Sequence, residues 1–445
     1  MPKSYWIETL GCPKNQVDSD KIAGSLLADG YEQAPDPSDA DVVVVNTCAF
    51  IEPARAESVE AVLCLAEARR PGARLVVTGC LAARSGRELA EALPEVDLVA
   101  DVGVPIDLGL TRSGATGARW LGRDTGLPAL DLLELPRRPA GAPWGYVKVA
   151  EGCDRACGFC AIPGFRGPQR SRPLDAVLAE VDALGVAEVV LVAQDLASYG
   201  RDRAARGARR AGRAGPAGPS QATGAGTRGI IELVEAVAAR VPRVRLLYLY
   251  PSALGDELID AVVATGVPYF DLSLQHASGR LLRSMRRSGD ARRFLERIER
   301  IRAKAPDAAL RSSFILGYPG ETEEDHDELL RFLEAAQLDW AGFFTYSEEP
   351  GTHAAQLGGR VPERLALLRL RECAELQDSI TAAKRSALVG QRVEVLVDAP
   401  GVARSTREAP EIDGVVRVPA TLAAGSFAKV EIVASEGPDL VAVAA

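Results

Sequence analysis

Several residue types that characterise particular protein classes are scarce in this sequence. Its 445 residues include 3 His and 2 Met, and aromatic residues make up 5%. The histidines are scattered singly and form no metal-binding set. No apolar run is long enough for a membrane span, and the N-terminal segment contains no signal-peptide core. We therefore expect a cytoplasmic protein without a membrane partner.

Basic residues are fewer than acidic residues. Lys and Arg total 52 against 61 Asp and Glu, which gives a formal net charge of -9. Extensive nucleic-acid binding usually depends on a basic surface that releases counterions from phosphates, so this balance disfavours it. A basic protein would be attracted instead. The length suggests roughly three domains, on a prior of about 150 residues each.

The N-terminal hundred residues alternate short apolar runs with helical stretches, which is typical of a parallel sheet covered by helices. The predicted strands are 5–10, 41–45 and 74–77, and the predicted helices are 18–29, 52–70 and 85–93. Each strand leads into a cysteine, namely Cys12, Cys48 and Cys80. Because the carboxyl ends of parallel strands share one edge of the sheet, the three thiols should converge there.

A second series of strands follows a Pro- and Gly-rich connection at about 127–143. The predicted strands are 146–150, 188–193, 244–250, 269–274, 310–316 and 342–346, separated by helical segments such as 173–184 and 291–305. Right-handed crossovers between parallel strands curl the sheet toward a barrel, and six strands leave that barrel open. Its working face should be the carboxyl ends of the strands.

Two segments depart from this rhythm. Residues 201–228 are mostly Ala, Gly and Arg and cannot bury enough apolar surface to order themselves, so we expect a disordered insertion. Beyond about residue 389, short strands at 392–398, 414–420 and 427–434 lie between Gly and Pro turns, which indicates a small antiparallel β-barrel.

The expected fold class is therefore α/β with three domains. An N-terminal parallel α/β domain covers 1–126, an open six-strand (β/α) partial barrel covers 139–375, and a small C-terminal β-barrel covers 386–445.

Three cysteines, Cys153, Cys157 and Cys160, follow the first strand of the six-strand series. A structural zinc site uses four ligands and disulfides need an even number, so three thiols fit neither site. A reducing compartment would also keep the thiols free. A cubic four-iron cluster on three thiolates keeps one iron open. The amino and carboxylate groups of S-adenosylmethionine can chelate that iron.

The run CDRACGFC at 153–160 resembles the radical S-adenosylmethionine superfamily. Nearly the whole chain resembles its methylthiotransferase family, which adds an N-terminal domain with three further cluster cysteines and a C-terminal TRAM domain. Three motifs are similar to the RimO branch, which modifies a ribosomal protein: LGCPKNQVDSD at 10–20, NTCAFIEPARAES at 46–58 and GCDRACGFCAIPGFRGPQRSR at 152–172. The sister enzymes that act on transfer RNA typically show a GCQMN-type start.

The resemblance implies two 4Fe-4S clusters, S-adenosylmethionine and a low-potential electron donor. The cluster on Cys153, Cys157 and Cys160 would cleave S-adenosylmethionine to a deoxyadenosyl radical, which takes a hydrogen from the β-carbon of an aspartate in small-subunit ribosomal protein twelve. The second cluster, on Cys12, Cys48 and Cys80, would present the sulfur species that is methylated and transferred. In this scheme the cofactors perform the reaction and the protein places them.

Further candidates for cofactor binding lie near the barrel strand ends. Phe159 resembles the aromatic residue that packs near the adenine in this superfamily. Gln194 ends the second barrel strand and Gln275 the fourth, while Gly317 and Gly320 belong to a GYPGE turn after the fifth. A core or turn position is the alternative for each of them.

The roles of several other residues are predicted from their sequence context. Arg166, Arg170 and Arg172 follow the cysteine loop and are predicted either to bind the cofactor carboxylate or substrate, or to be surface charges. His326, within EEDHDE, is predicted to lie on a solvated helix face. Cys64 and Cys373 are predicted to be core or helix residues rather than ligands.

Two alternative functions remain open. A tRNA adenosine methylthiotransferase (MiaB-like) would have the same clusters and a different acceptor, and an iron-sulfur carrier would catalyse nothing. Residues 390–445 contain five basic and eight acidic side chains, a net charge of minus three, which disfavours RNA and favours a basic ribosomal protein. We therefore allow nucleic-acid contact but do not expect RNA as the substrate.

Overall fold

The computed structural model describes residues 2–104, 119–122, 132–204 and 228–445. In the N-terminal domain the strands are β1 Ser4–Thr9, β2 Glu32–Gln33, β3 Val42–Thr47, β4 Arg74–Gly79, β5 Leu98–Ala100 and β6 Arg119–Leu121, and the helices are α1 Pro13–Ala28, α2 Glu52–Ala68 and α3 Cys80–Ala92. They form a parallel sheet of order β2-β1-β3-β4-β5-β6, in which the three strands that lead into cysteines are direct neighbours.

The predicted strands of this domain are confirmed, but the sheet is wider than predicted because β2, β5 and β6 are too short to show a pattern. Helices α1 and α3 begin earlier than predicted. Pro13 occupies the first turn of α1, where its fixed φ and missing N–H are well tolerated. Helix α3 begins at Cys80 and has a non-helical residue at Ser85, where the prediction placed its start.

The central domain contains the predicted six barrel strands, β7 Trp144–Lys148, β10 Glu188–Val192, β11 Arg243–Leu246, β12 Tyr269–Gln275, β13 Ala309–Leu316 and β14 Trp340–Thr345. They pair as β7-β10-β11 and β12-β13-β14. A single parallel bridge between Leu249 and Leu272 joins the two halves. Strand β11 ends at Leu246 rather than at 250, because Tyr248 has a left-handed φ of 65°.

A short antiparallel ribbon, β8 Ala150–Glu151 with β9 Arg170–Ser171, flanks the cysteine loop of the barrel. The helices of this domain are α4 Ile162–Arg166, α5 Leu174–Leu184, α6 Arg228–Ala238, α7 Asp256–Ala264, α8 Gly279–Ser284, α9 Ala291–Lys304, α10 Glu323–Ala336 and α11 Glu363–Ser386. None of the helices in the described ranges has both the length and the apolar character of a membrane span.

The predicted disordered insertion at 201–228 lies outside the described residues except at its two edges. Residues 201–204 are helical, and Arg228 is the first residue of α6. The prediction was therefore too wide at both ends. Arg and Ala are both good helix formers, which agrees with helical backbone at these edges.

The C-terminal strands β15 Arg392–Ala399, β16 Val402–Arg404, β17 Val416–Arg417, β18 Phe427–Glu436 and β19 Asp439–Ala444 form a closed barrel of order β15-β16-β17-β19-β18. The pairing is antiparallel except between β17 and β19, which run parallel. The prediction of a purely antiparallel barrel was wrong at this one pair.

A loop of the C-terminal domain packs against the amino-terminal ends of the central strands. Tyr146 Oη donates to Pro410 O at 3.0 Å, and Trp340 Nε1 donates to Arg407 O at 2.8 Å. Tyr269 Oη donates to the Asp413 carboxylate at 2.6 Å. This loop covers the bottom of the partial barrel, so the carboxyl ends remain for the site.

A buried ion cluster fixes this contact. Glu188, at the start of β10, lies 2.8 Å from Arg245 Nε and 3.1 Å from Arg404 Nη1, and all three side chains are at most 2% exposed. Because both guanidiniums share this carboxylate, its loss would leave the buried Arg245 without its paired anion and Arg404 with Asp398 alone.

We predict that Glu188→Gln lowers the free energy of unfolding by about 3–5 kcal/mol, since removing one member of a buried ion cluster is strongly destabilising. Chemical denaturation would measure the change. Glu394→Gln is the matched control, because Glu394 is 57% exposed and 3.6 Å from Arg243, and it should cost about 1 kcal/mol or less. Equal losses in the two variants would contradict a structural role for the Glu188 cluster.

Candidate active site between two cysteine trios

The N-terminal trio, Cys12, Cys48 and Cys80, lies at the carboxyl ends of the neighbouring strands β1, β3 and β4. Gly11 and Gly79 each have a φ of 93°. A Cβ on Gly11 would lie 2.7 Å from Cys48 Sγ, and a Cβ on Gly79 would lie 2.5 Å from a backbone oxygen. Glycine is therefore required at both turns for the backbones to approach this closely.

Burial opposes ionisation in the N-terminal trio. The pKa of Cys48 is raised to about 11, mainly by burial and in smaller part by the nearby thiols of Cys12 and Cys80. Burial also raises the pKa of Cys80, although the Arg166 guanidinium opposes the shift. For Cys12 the burial effect is outweighed by the Lys14 cation and by backbone N–H groups of α1, so its pKa is lowered.

The loop trio, Cys153, Cys157 and Cys160, lies between β8 and α4. Burial raises the pKa of Cys153 to about 11 and that of Cys160 to about 12, and the neighbouring thiols add to both shifts. Arg287 Nη1 donates to Cys157 Sγ at 3.3 Å. Thiols with such pKa values stay protonated near neutral pH until a metal displaces the proton.

The donor sets suit an iron-sulfur cluster that is held by three thiolates. Across the described ranges, no group of three or more His, Cys, Asp or Glu side chains could hold one metal ion. The thiols within each trio nevertheless influence one another's pKa. Three neighbouring thiols would suit a cube that takes one thiolate per iron. Three ligands then leave one iron for an outside group.

The two remaining cysteines join neither trio. Cys64 is exposed on α2 and Cys373 is buried in α11. Their predicted positions in helices are confirmed, although Cys64 is not a core residue.

Arg166 connects the two trios. It lies at the end of α4, directly after the loop trio, and its Nη2 donates to Cys80 Sγ at 3.0 Å and to Asn15 Oδ1 at 3.1 Å. Its Nη1 donates to Asp18 at 3.0 Å and to Glu151 at 3.1 Å. Arg166 is 4% exposed. Of its two predicted roles, a surface charge is therefore wrong.

Lys148 completes this buried network, because its Nζ lies 2.5 Å from both Asp18 and Glu151. Burial alone would raise the pKa of Glu151, but Arg166 and Lys148 hold that pKa far below its usual range. Glu151 therefore stays ionised. Two cations and two carboxylates balance one another at the contact between the N-terminal domain and the barrel.

The segment after β11 faces both trios. The Lys14 ammonium lies 3.4 Å from the centroid of the Tyr248 ring, and Cys12 is among the groups that raise the pKa of Tyr248, after burial. Two residues later, the Tyr250 ring lies between the Arg155 and Arg287 guanidiniums, at 3.9 and 4.1 Å. Arg287 also contacts the loop trio. The two trios therefore border the same region at the carboxyl ends of the barrel strands.

The strand-end residues that were predicted to bind the cofactor differ in their hydrogen-bond partners, backbone conformation and burial. Gln194 Nε2 donates to Glu151 Oε1 at 2.9 Å, while its buried Oε1 has no partner among the described residues and could accept a hydrogen bond from a ligand. Gln275 ends β12 with a φ of 73°. Phe159 is half-buried against the barrel core. Their contacts with a cofactor stay a prediction.

The two glycines of the predicted cofactor turn have internal partners. Gly317 is buried, its N–H donates to the Glu321 carboxylate, and a Cβ there would lie 2.6 Å from Ala366 Cβ. Gly320 N donates to Gly359 O at 2.7 Å. These contacts favour the turn alternative, in which glycine allows close packing against α11.

The remaining predicted residues differ clearly in burial. Arg172 is buried and pairs with Glu180 at 2.7 Å, whereas Arg170 is exposed. His326 is buried, with Nε2 at 2.8 Å from Glu372 Oε2. The prediction of a solvated position for His326 was wrong, because α11 packs over this face of α10.

Sequence reasoning did not single out Lys14, Tyr248, Tyr250, Arg155 or Arg287. Lys14 lies inside the GCPKN motif, and both tyrosines follow a barrel strand, so weak signals were present. Arg287 follows no strand end and gave no signal.

The His276 ring is fully buried next to Gln275, and its Nδ1 accepts a hydrogen bond from Ser278 N at 3.0 Å. Burial lowers the pKa of His276 to about 3, against an ordinary value of 6.5. Below pH 6.5 the unfolded chain therefore binds a proton that the folded chain does not. The free energy of unfolding should fall with decreasing pH, by about 2 kcal/mol at pH 5 for this group.

We predict that His276→Asn, which keeps an acceptor for Ser278 N, removes this contribution. Urea unfolding of both proteins between pH 5 and pH 8 would measure it. The stability difference between wild type and variant should change by about 2 kcal/mol over that range. A constant difference would contradict the neutral, buried state of His276.

Comparisons with known proteins agree with this architecture. Residues 4–101 match the model of the uncharacterized protein family UPF0004, residues 147–333 match the radical SAM superfamily, and residues 389–444 match the TRAM domain. Among solved structures, a radical S-adenosylmethionine methyltransferase, TsrM from Kitasatospora setae, with cobalamin and a [4Fe-4S] cluster bound, has a TM-score of 0.52 at 14% identity. The alignment covers 96% of this chain and 84% of that chain, and it shows a shared fold.

Curated relatives are much more similar. The ribosomal protein uS12 methylthiotransferase RimO of Anaeromyxobacter sp. (strain K) is 40% identical over 99% of this chain and 93% of its own length. The protein of the same name from Moorella thermoacetica is 42% identical over 92% of this chain and 91% of its own length. With identity at this level along nearly the entire sequence, the chain belongs to the RimO family of ribosomal protein uS12 methylthiotransferases.

Proposed function

We propose that this protein adds a methylthio group to the β-carbon of an aspartate in ribosomal protein uS12, with S-adenosylmethionine and two [4Fe-4S] clusters as cofactors. The observation that carries the proposal is the pair of cysteine trios at one end of the barrel, connected by Arg166 and bordered by one segment, Tyr248–Tyr250. The family membership supports the same reaction.

The loop trio would hold the cluster that binds S-adenosylmethionine, and the N-terminal trio would hold the cluster that delivers sulfur. When bound, these groups supply the radical and sulfur-transfer chemistry. Gln194 Oε1 has no partner among the described residues, and in this proposal it would accept a hydrogen bond from the cofactor. Arg287 donates to Cys157 and would stabilise its thiolate as a ligand.

The protein also fixes the relative position of the two cluster sites. Arg166 contacts Cys80 directly and follows the loop trio, so movement of one site relative to the other would break several buried charged contacts. This rigidity suits a reaction in which a carbon activated at one site must meet sulfur at the other. The low-potential electron donor remains part of this proposal.

Charges on the C-terminal domain favour a protein acceptor. Of its basic residues, Arg404 is buried on Glu188, and Arg392 and Arg417 pair with acidic neighbours on the domain itself. A TRAM domain suggests some nucleic-acid contact, for example with RNA near a ribosomal substrate. The net negative charge of this domain nevertheless disfavours the tRNA alternative, since binding of free RNA depends on basic surface.

Replacing any cysteine of the loop trio by Ala should abolish release of deoxyadenosine from S-adenosylmethionine, because the cofactor loses its anchoring cluster. Replacing any cysteine of the N-terminal trio should preserve that release and stop formation of methylthiolated uS12. Chromatography of the nucleoside and mass spectrometry of uS12, under strictly anaerobic conditions, would measure the two outcomes.

Cys64→Ala is the matched control, since Cys64 is exposed on α2 and belongs to neither trio. It should retain both products and the wild-type iron content. Methylthiolated uS12 from a variant of the N-terminal trio would contradict the assignment of sulfur delivery. Deoxyadenosine from a variant of the loop trio would contradict the assignment of S-adenosylmethionine cleavage.

A further inference from the structure

Lys14, beside the N-terminal trio, is a cation that is not paired with a carboxylate of the described residues. Lys21, Lys148, Lys304 and Lys384 each pair with a carboxylate. The half-buried side chain of Lys14 forms no ion pair with a carboxylate and no hydrogen bond in the described part of the chain, although its charge and its backbone N–H act on Cys12. Its ammonium lies over the Tyr248 ring instead, 3.4 Å from the centroid. A ring face attracts a cation but leaves its charge unneutralised, so the ammonium can still bind an anion.

The protein holds the Tyr248 ring under Lys14 at some cost in backbone energy. Tyr248 has a φ of 65°, a conformation that non-glycine residues rarely adopt. Its N–H donates to Asp271 Oδ2 at 2.9 Å, and Asp271 Oδ1 accepts from Arg311 at 3.2 Å. Asp271 is therefore already paired. Backbone strain maintained by surrounding contacts is common at ligand sites.

The position of Lys14 matches the place where a substrate carbon would have to enter. Lys14 is two residues from Cys12, and the Tyr248 ring beneath it belongs to the segment that also reaches Arg287 and the loop trio. In the proposed reaction the target carbon is bonded directly to the carboxylate carbon of an aspartate. A cation that holds this carboxylate therefore also positions the reacting carbon. Burying the carboxylate without a partner would be costly.

We propose that Lys14 binds the side-chain carboxylate of the target aspartate, with Tyr248 fixing the ammonium, and that this contact makes the enzyme select aspartate over asparagine. This inference rests on the proposed function, because it assigns a residue to recognition of its acceptor. Lys14 is thus a specificity-determining residue.

The test is equilibrium binding of uS12 to the anaerobic, cluster-containing enzyme without reductant, so that no turnover occurs. Two forms of uS12 are compared, the natural protein and one with the modified aspartate changed to asparagine. Wild-type enzyme should bind the aspartate form at least about tenfold more tightly, as expected for one charge-assisted contact. Lys14→Met should bind both forms equally and keep its affinity for S-adenosylmethionine.

Lys3→Met is the matched control. Lys3 also lies over a tyrosine ring, that of Tyr31 at 5.8 Å. It precedes β1, however, so it lies at the amino ends of the strands and not at the carboxyl ends that carry the cysteines. It should keep the full preference for aspartate. If Lys14→Met does not fold, Tyr248→Leu provides a second test, since it should reduce the preference at least about threefold while Tyr248→Phe, which retains the ring, should not.

An unchanged preference in Lys14→Met, or a loss of affinity for S-adenosylmethionine in place of uS12, would overturn the assignment of Lys14. Failure of the proposed function has a separate signature. In that case wild-type enzyme would form no methylthiolated uS12 on addition of reductant. If wild type forms the product and Lys14→Met keeps the preference, only the assignment of Lys14 fails.

Discussion

The buried guanidinium of Arg166 is the interaction on which the arrangement of the two cysteine trios depends. It belongs to the barrel, yet it contacts Cys80 and Asn15 of the N-terminal domain. Asp18 and Glu151, one from each domain, neutralise it. Such a charge can remain in a dry interior only if all of its partners stay in place, so the network defines one docked position of the domains. A second contact, in which Arg55 of α2 lies 2.6 Å from Glu349 beyond the carboxyl end of β14, supports the same docking.

Both ends of the partial barrel are covered by neighbouring domains, with different consequences. At the amino ends of the strands, the C-terminal domain fills the opening through Tyr146, Tyr269 and Trp340. At the carboxyl ends, the N-terminal domain brings thiols and Lys14, and Cys80 meets Arg166 of the barrel there, so no apolar plug fills this end. The fold therefore restricts chemistry to one face. A continuous series of contacts from Asp413 through Arg311 and Asp271 to the backbone of Tyr248 connects the two ends.

The sequence contained enough information for the architecture and the cysteines, because these depend on local patterns. The Val-rich run of β3 and the Gly-Cys turns after β1 and β4 are visible as short motifs. The contact between Arg166 and Cys80 spans 86 residues and that between Lys14 and Tyr248 joins two domains, so neither has a local pattern. His326 was misassigned for the same reason, since its acidic neighbours suggest solvent while the packing of α11 excludes it. The early end of β11 depends on the unusual φ of Tyr248, which tertiary contacts maintain.

The proposed reaction requires two clusters that border one region at the carboxyl ends of the barrel strands. Its most direct test is a crystal structure of the anaerobically reconstituted protein, with iron located by anomalous scattering. We expect two separate iron clusters, one on Cys12, Cys48 and Cys80 and one on Cys153, Cys157 and Cys160, with Lys14 and Tyr248 lining the open space between them. A single cluster, or two clusters separated by packed side chains, would contradict it.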